Sequence, residues 1–262
     1  MLDGMKYATE GMAQIQQKND MVVNNLANAS TIGYRKEGMV ITSFAETLDR
    51  SMGFNPAAHG SGDQTGYMEA GGGLDTGNAL FNHTLTSYQQ GPLRETGNKF
   101  DMALDDNGTG FFTVATPAGL RYTRAGAFKL VDGKLETADG CQLMGMKGPI
   151  SVGAGTNMEV SVDGIVKVDG KEVDKLRITT FADKRVLKRD GMSNFAAPSD
   201  RGLTLTKGYT VRQGYLEAAN VNPVQEMVDI MTISRTFEAN QKMLQAEDHL
   251  LQTAATQLGK LH

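Results

Sequence analysis

Apolar positions recur with the 3-4 spacing of an amphipathic helix in two stretches of this chain, and the stretches stand at its two ends. The first runs through Met5, Ala8, Met12, Ile15, Asn19, Val22 and Leu26. It stops in a polar cluster, Asn24-Asn25-Leu26-Ala27-Asn28-Ala29-Ser30-Thr31-Ile32-Gly33-Tyr34, where short hydrogen-bonding side chains compete with the helical backbone and Gly33 permits a turn. The second runs through Met227, Ile230, Ser234, Phe237, Gln241, Leu244, Asp248, Leu251, Ala255 and Leu258. Asn222 suits its N-cap, Pro223 its first helical position, and Gln225 the return half of a capping box. Gly259 ends the pattern, so the spacing predicts a helix from Val224 to Leu258, on the order of 50 Å long at 1.5 Å per residue.

A helix of that length outruns a small domain. One of its seams, Ile230, Phe237, Leu244, Leu251 and Leu258, is wholly apolar, whereas the alternate seam contains Ser234, Gln241 and Asp248. A two-stranded coiled coil fits that mixture poorly, so something else must cover the stripe. Each terminal helix either packs on a core of its own domain or meets another helix.

Between the ends the periodicity changes twice. From Gly38 to Leu80 it is lost, and Ser51 to Gly77 is rich in glycine and polar residues. The glycines there have neither the Gly-Lys-Ser/Thr of a phosphate cradle nor dinucleotide-fingerprint spacing, which leaves an extended arm with two short strands. From Thr84 to Glu217, short strand-like runs such as Phe111 to Val114, Leu120 to Tyr122, Ala127 to Leu130, Met158 to Val162 and Leu176 to Phe181 alternate with turns. Asn107-Gly108, Asp132-Gly133, Asp139-Gly140, Asp163-Gly164 and Asp169-Gly170 supply the turns, most of them as tight hairpins. Gln90-Gly91-Pro92-Leu93-Arg94-Glu95 is echoed by Gln213-Gly214-Tyr215-Leu216-Glu217, which predicts that the two segments lie together and close the domain. The expected organisation is α+β: an N-terminal helix over 1–36, an arm over 37–83, an all-β domain of short strands over 84–218 and a C-terminal helix over 219–262.

Composition narrows the chemistry. A net charge of -4, with no cluster of Lys and Arg, argues against nucleic acid as a partner. The run from Lys184 to Arg189 is interrupted by Val186 and Leu187 and reads as a solvated hairpin edge. One cysteine, Cys141, excludes an intrachain disulfide and reads as a small buried hydrophobe. The acidic group Asp101, Asp105, Asp106 and Asn107 lacks the alternation and terminal Glu of a calcium loop and reads as a hairpin turn. The histidines His59, His83, His249 and His262 have no ligand spacing, and no nucleophile elbow or carboxylate pair stands in a catalytic context. No catalytic, metal or cofactor residue is therefore expected. Met1 to Glu10 lacks the basic and apolar regions of a cleavable secretion signal, and no apolar run approaches the roughly 18 residues of a membrane span.

With both ends read, the chain resembles the bacterial flagellar axial proteins, in particular the rod subunits of the basal body. The resemblance rests on Asn24-Asn25-Leu26-Ala27-Asn28 with Thr31-Ile32-Gly33-Tyr34-Arg35, on Gln90 to Leu93 with Thr96-Gly97-Asn98, on Gly108 to Phe112, and on Tyr122-Thr123-Arg124-Ala125-Gly126-Ala127-Phe128. Towards the other end it rests on Gln213-Gly214-Tyr215-Leu216-Glu217, Asn220-Val221-Asn222, Glu226-Met227-Val228 and Arg235 to Lys242. Such a resemblance implies export through the flagellar type III apparatus and polymerisation into a tube. The terminal helices would pair in its inner layer, with the β domain outside. The implied partners are further copies and other rod subunits, hook-side axial proteins, the basal-body rings and the export apparatus, with no direct membrane insertion. The assembly interface is then expected at Met5, Met12, Ile15, Val22 and Leu26 and at Ile230, Phe237, Leu244, Leu251 and Leu258. Ala239 to Lys242 and Gly145 to Pro149 resemble proximal rod subunits, and the long arm resembles the distal one; the proximal reading is favoured. A stalked β-domain binding module, or an enzyme with a buried polar site, would be the alternatives.

Overall fold

The computed structural model describes residues 2–42, 81–153, 158–197, 203–205 and 208–258. Two long helices and a set of antiparallel strands make it a mixed α+β fold. Helix α1 (Leu2–Ala27) opens the chain and α2 (Pro223–Leu258) closes the described part of it. Both agree with the apolar spacing to within a turn. Asn222 caps α2 through its side-chain oxygen, which accepts from the amides of Val224 at 3.1 Å and Gln225 at 3.4 Å. The return half of the capping box is absent: the Gln225 amide reaches down the helix to Asp229 instead.

After α1, strand β1 (Glu37–Thr42) pairs antiparallel with β2 (Phe81–Thr86), Glu37 opposite Thr86 and Thr42 opposite Phe81. Most of the expected arm, 43–80, lies outside the described residues. The β body then follows as β3 (Leu93–Glu95), β4 (Met102–Asp105), β5 (Gly110–Thr116), β6 (Gly119–Thr123), β7 (Phe128–Val131), β8 (Lys134–Thr137) and β9 (Gln142–Leu143). Strands β10 (Met158–Val160), β11 (Ile165–Val168) and β12 (Lys171–Lys175) form a three-stranded meander. The rest are β13 (Ile178–Phe181), β14 (Lys188–Asp190), β15 (Asn194–Ala196), β16 (Leu203–Leu205), β17 (Thr210–Gln213) and β18 (Tyr215–Glu217). Among the described residues the largest sheet has nine strands, in the order β14-β15-β6-β5-β9-β8-β7 with β13 bridging β5 and β16.

Strand β5 is the spine of the body because its alternating side chains feed two cores. Phe112 and Val114 join Met102, Leu104, Leu135, Leu143 and Ile178 on one side. Phe111 on the other side packs with Tyr122, Phe181 and Phe195, the rings meeting edge to face at 4.8 to 6.0 Å in the Tyr122–Phe181 and Phe111–Phe181 pairs. Cys141 is buried in the first core, as a small hydrophobe would be.

The turn chemistry holds in part. Asp132-Gly133 and Asp169-Gly170 both take positive φ at each residue and turn the β7–β8 and β11–β12 hairpins. Asn107-Gly108 takes the same conformation but connects β4 to β5, which belong to different sheets, so this acidic stretch is not the hairpin expected. The echo between the two Gln-Gly segments is a physical pairing: β18 runs antiparallel to β3 with Leu216 opposite Arg94 and Glu217 opposite Leu93. That pairing brings both ends of the β body to one place, from which α1 and α2 leave.

Candidate functional site

The helices lie against one another and join the body through a polar knot. Its first strand of contacts is made by Asn25, buried at the end of α1. The Asn25 side-chain oxygen accepts from the Tyr34 hydroxyl at 3.0 Å and from the Glu37 amide at 2.9 Å, while its amide nitrogen donates to the Glu37 carbonyl at 2.8 Å. The side chain thus mimics a strand neighbour for Glu37. Asn28 closes the helix end by donating to the Asn24 carbonyl and side chain. Gly33 then takes φ +69° and donates its amide to the Glu217 carbonyl at 2.8 Å. A Cβ there would stand 2.3 Å from the Ala125 nitrogen, so the chain needs glycine for close approach as well as for the turn.

Beneath Gly33 lies a buried ion cluster. Glu217 holds Arg35 at 2.7 Å through one oxygen and Arg124 at 2.8 Å through the other, and Arg124 also pairs with Asp106 at 2.8 Å. Those side chains are at most 1% exposed. The charges balance, two cations against two anions, and backbone groups complete much of the set: Glu217 accepts from the Gly91 amide, and Arg124 donates to the Gly110 and Leu104 carbonyls. Asp106 also accepts from the amides of Gly108 and Gly110. Burial pushes the Arg35 guanidinium below its ordinary value, Glu217 opposes that shift, and the charge of Arg124 adds to it.

A third layer fixes α2. The Asn220 side chain accepts from the Lys36 amide at 2.6 Å and donates to the carbonyls of Ser87 at 3.0 Å and Gln89 at 2.9 Å. One turn into α2, buried Glu226 pairs with the Lys36 ammonium. Arg189 reaches in from β14, pairs with Glu37 at 2.5 Å, donates to the Arg35 carbonyl at 2.6 Å and lies over the Tyr34 ring with 4.6 Å to its centre. The run from Lys184 to Arg189 is therefore not simply a solvated edge. Leu187 is buried, Lys184 sits over the Tyr88 ring, and Arg189 bolts the body to the start of β1.

The residues that carry the family resemblance divide between this knot and its approaches. Asn24, Asn25, Asn28, Gly33, Tyr34, Asn220 and Asn222 make the contacts just described. Gln213 bonds the Lys99 and Met158 carbonyls, Gly214 turns β17 into β18 at φ +78°, and Leu216 stands half-buried in β18. Leu26 is half-buried and Ala27 exposed at the end of α1. Asp106, Arg124 and Arg189 are not among the expected site residues: Asp106 reads as part of a turn, Arg189 as part of a solvated run, and Arg124 stands inside a motif that by itself assigns it no role.

The helical stripes are covered unevenly. Val22 is buried, and Met12, Ile15, Leu26, Ile230, Phe237 and Leu244 are half-buried. The side chains of Met5, Leu251 and Leu258 lie outside the described residues. The alternate seam of α2 is corrected by one residue: buried Glu226 and Ile233 and half-buried Asn240 face inward, while Met227, Ser234 and Gln241 are exposed. Between the helices a cleft of about 310 Å³ is lined from α1 by Ile15, Gln16, Asn19 and Asp20 and from α2 by Ile233, Ser234, Phe237 and Glu238. Among the described residues no helix is long and apolar enough to cross a membrane, and no three His, Cys, Asp or Glu side chains stand together as a metal site.

Two long helices, one at each end of the described chain, are fastened by a buried polar knot to a β body of short strands. The chain matches family models at each of those parts: flagella basal body rod protein over 5–35, the flagellar hook protein FlgE/F/G D1 domain over 107–168, and the flagellar basal body rod FlgEFG protein C-terminal region over 212–258. The flagellar basal-body rod protein FlgG of Agrobacterium fabrum is 30% identical over 94% of this chain and 95% of its own length. FlgF of Caulobacter vibrioides is 29% identical over 95% of this chain, and the flagellar hook-basal body complex protein FlhO of Bacillus subtilis is 29% identical over the whole of both chains. The chain belongs to the flagellar basal-body rod protein family, and it is a structural subunit of the rod.

Proposed function

We propose that α1 and α2 form the inner layer of a helical tube around an export channel, that the β body faces outward, and that the knot between them transmits torque from one layer to the other. The observation that carries this is the contrast along α2. Its first turns are pinned by Asn220, Asn222 and Glu226, whereas most of its described length beyond Ile233 is at best half-buried against α1. A helix with a stripe it cannot bury alone gains its cover from neighbours, and its ordering is then coupled to assembly. Contacts of that kind are heterologous and propagate. The partners are further copies, other rod subunits, hook-side axial proteins, the rings and the export apparatus, through which the chain reaches them. Its proximal position rests on the likeness of Ala239 to Lys242 and of Gly145 to Pro149 to proximal subunits.

The test is far-ultraviolet circular dichroism with light scattering as the concentration is raised. Helical signal that grows with scattering is expected; strong helix in a small oligomer of fixed size would instead make the chain a stalked binding module. Removing Met227 to His262 should abolish incorporation into rods, and incorporation of the truncated chain would defeat the inner-layer arrangement.

A further inference from the structure

The two arginines of the buried cluster are satisfied unequally. Arg124 uses all three of its nitrogens: Nε donates to Glu217, Nη1 to Asp106 and the Gly110 carbonyl, and Nη2 to the Leu104 carbonyl. Arg35 places both of its contacts on one nitrogen, Nη1, which donates to Glu217 at 2.7 Å and to the Gln89 carbonyl at 2.5 Å. Its Nε and Nη2 are buried, and among the described residues no protein atom accepts from them. In a guanidinium those two nitrogens share one edge and point N–H bonds the same way, so a single planar fork is left without a protein acceptor. The acceptors around the cluster are already committed. Glu217 takes the Gly91 amide and both arginines, Asp106 takes two backbone amides and Arg124, and the Gln89 carbonyl also takes the Asn220 amide.

We infer that the Nε–Nη2 fork of Arg35 holds one internal water, which accepts from both N–H groups and is a fixed part of the joint between α1 and the β body. Three constraints select this occupant. A dry fork would forfeit the solvation of a cation whose side chain is 0% exposed, and buried polar groups of this kind are met by protein or by ordered water. Burial also keeps the carboxylate of another molecule, or a bulky oxyanion, from reaching the fork, whereas one oxygen bridges both N–H bonds. The charges of the cluster already cancel, two cations against two anions, so a halide would leave it with a net negative charge in a low-dielectric interior. The inference stands on the knot alone and is independent of the tube arrangement proposed above.

The experiment is nuclear magnetic resonance of the isotope-labelled full chain, with the Nε–H signals of Arg35 and Arg124 assigned through bonds, so that no variant has to fold. The Arg35 Nε–H should show a cross-relaxation peak to water, with the sign given by a molecule held for longer than the protein takes to tumble. The Arg124 Nε–H, which donates to Glu217, should show none and serves as the internal control. Replacing chloride with a larger anion at constant ionic strength should leave the Arg35 signal where it is. A slowly exchanging Arg35 Nε–H without a water peak would mean a dry edge, and rapid exchange with bulk solvent would mean that the cluster opens; either result overturns the inference. A signal that moves with chloride would put a halide on the fork and overturn it as well.

Discussion

The knot and the helix pair differ in how each is satisfied within one chain. In the knot, Glu217, Arg124 and Asp106 are at most 1% exposed and partnered, and Gly33 sits where no other residue fits. Along α2, by contrast, Val224, Met227, Val228, Met231 and Met243 are exposed. A buried ion cluster gains little net energy over an apolar core, yet it tolerates only one geometry, so it serves a joint that must hold an angle. An exposed apolar ridge lowers the solubility of the free chain, so it suits a surface that another molecule will cover. The ion pairs of the joint are made within the chain, whereas the apolar face of α2 is left uncovered by it.

That contrast can be broken most severely at Glu217. Glu217→Gln leaves Arg35 and Arg124 buried with Asp106 as the remaining anion, and should lower the stability of the isolated chain by about 3 to 5 kcal/mol, read as the urea midpoint at unchanged slope. A loss below about 1 kcal/mol would mean that the cluster is wetter than its burial implies. Gly33→Ala should cost about 2 kcal/mol or more, since the added methyl meets the Arg124–Ala125 backbone at a positive φ. Equal stability of the two chains would show that the turn relaxes away from β6.

Tyr88 provides a pH handle beside the knot. Burial pushes its phenol up to about 12, against about 10 in an unfolded chain. Above pH 10 the unfolded state therefore binds fewer protons than the folded one, and stability falls as the pH rises from about 10 to about 12, by about 2 kcal/mol across the window. Lys184, over the same ring, has its ammonium pushed down by burial and so acts with the opposite sign as the pH approaches its unfolded value. Comparing the native chain with Tyr88→Phe isolates the phenol: the native chain should lose stability more steeply than the variant above pH 10, and parallel curves would rule the phenol out.

The smallest effect on the isolated chain is expected at the helices. Phe237→Ala should cost about 1 kcal/mol in the monomer, where the ring is half-buried, and on the order of 3 kcal/mol in the assembled state if assembly buries it fully. Urea midpoints of monomer and polymer measured side by side would show it. Equal losses in both would mean that α2 is already as covered as it will become, and the contrast between joint and helix would fail.

Local patterns were legible wherever one segment contained the whole reason for its structure. The 3-4 spacing and Asn222 marked α2, the polar cluster after Leu26 ended α1, and Asp132-Gly133 and Asp169-Gly170 set their hairpins because both residues of each turn accept positive φ. The echo of the two Gln-Gly segments even revealed a long-range pair, β3 with β18. The alternate seam of α2 lies one residue earlier than the spacing places it: Glu226 and Ile233 are buried where the pattern points to Met227 and Ser234, while Ile230, Phe237 and Leu244 of the main seam are half-buried. Neighbouring apolar residues on a helix make competing stripes, and only a partner chooses between them.

What the sequence determined by itself was the order of elements, their kind and the membership of the family, since these follow from spacing, caps, turns and motifs carried within short windows. Only the tertiary structure decided that Arg35, Arg124, Asp106 and Glu217 are one buried cluster. A charged residue reads as solvent-facing until a fold places its counter-charge, and here the Arg35 and Glu217 partners meet through strands and loops far apart in the chain.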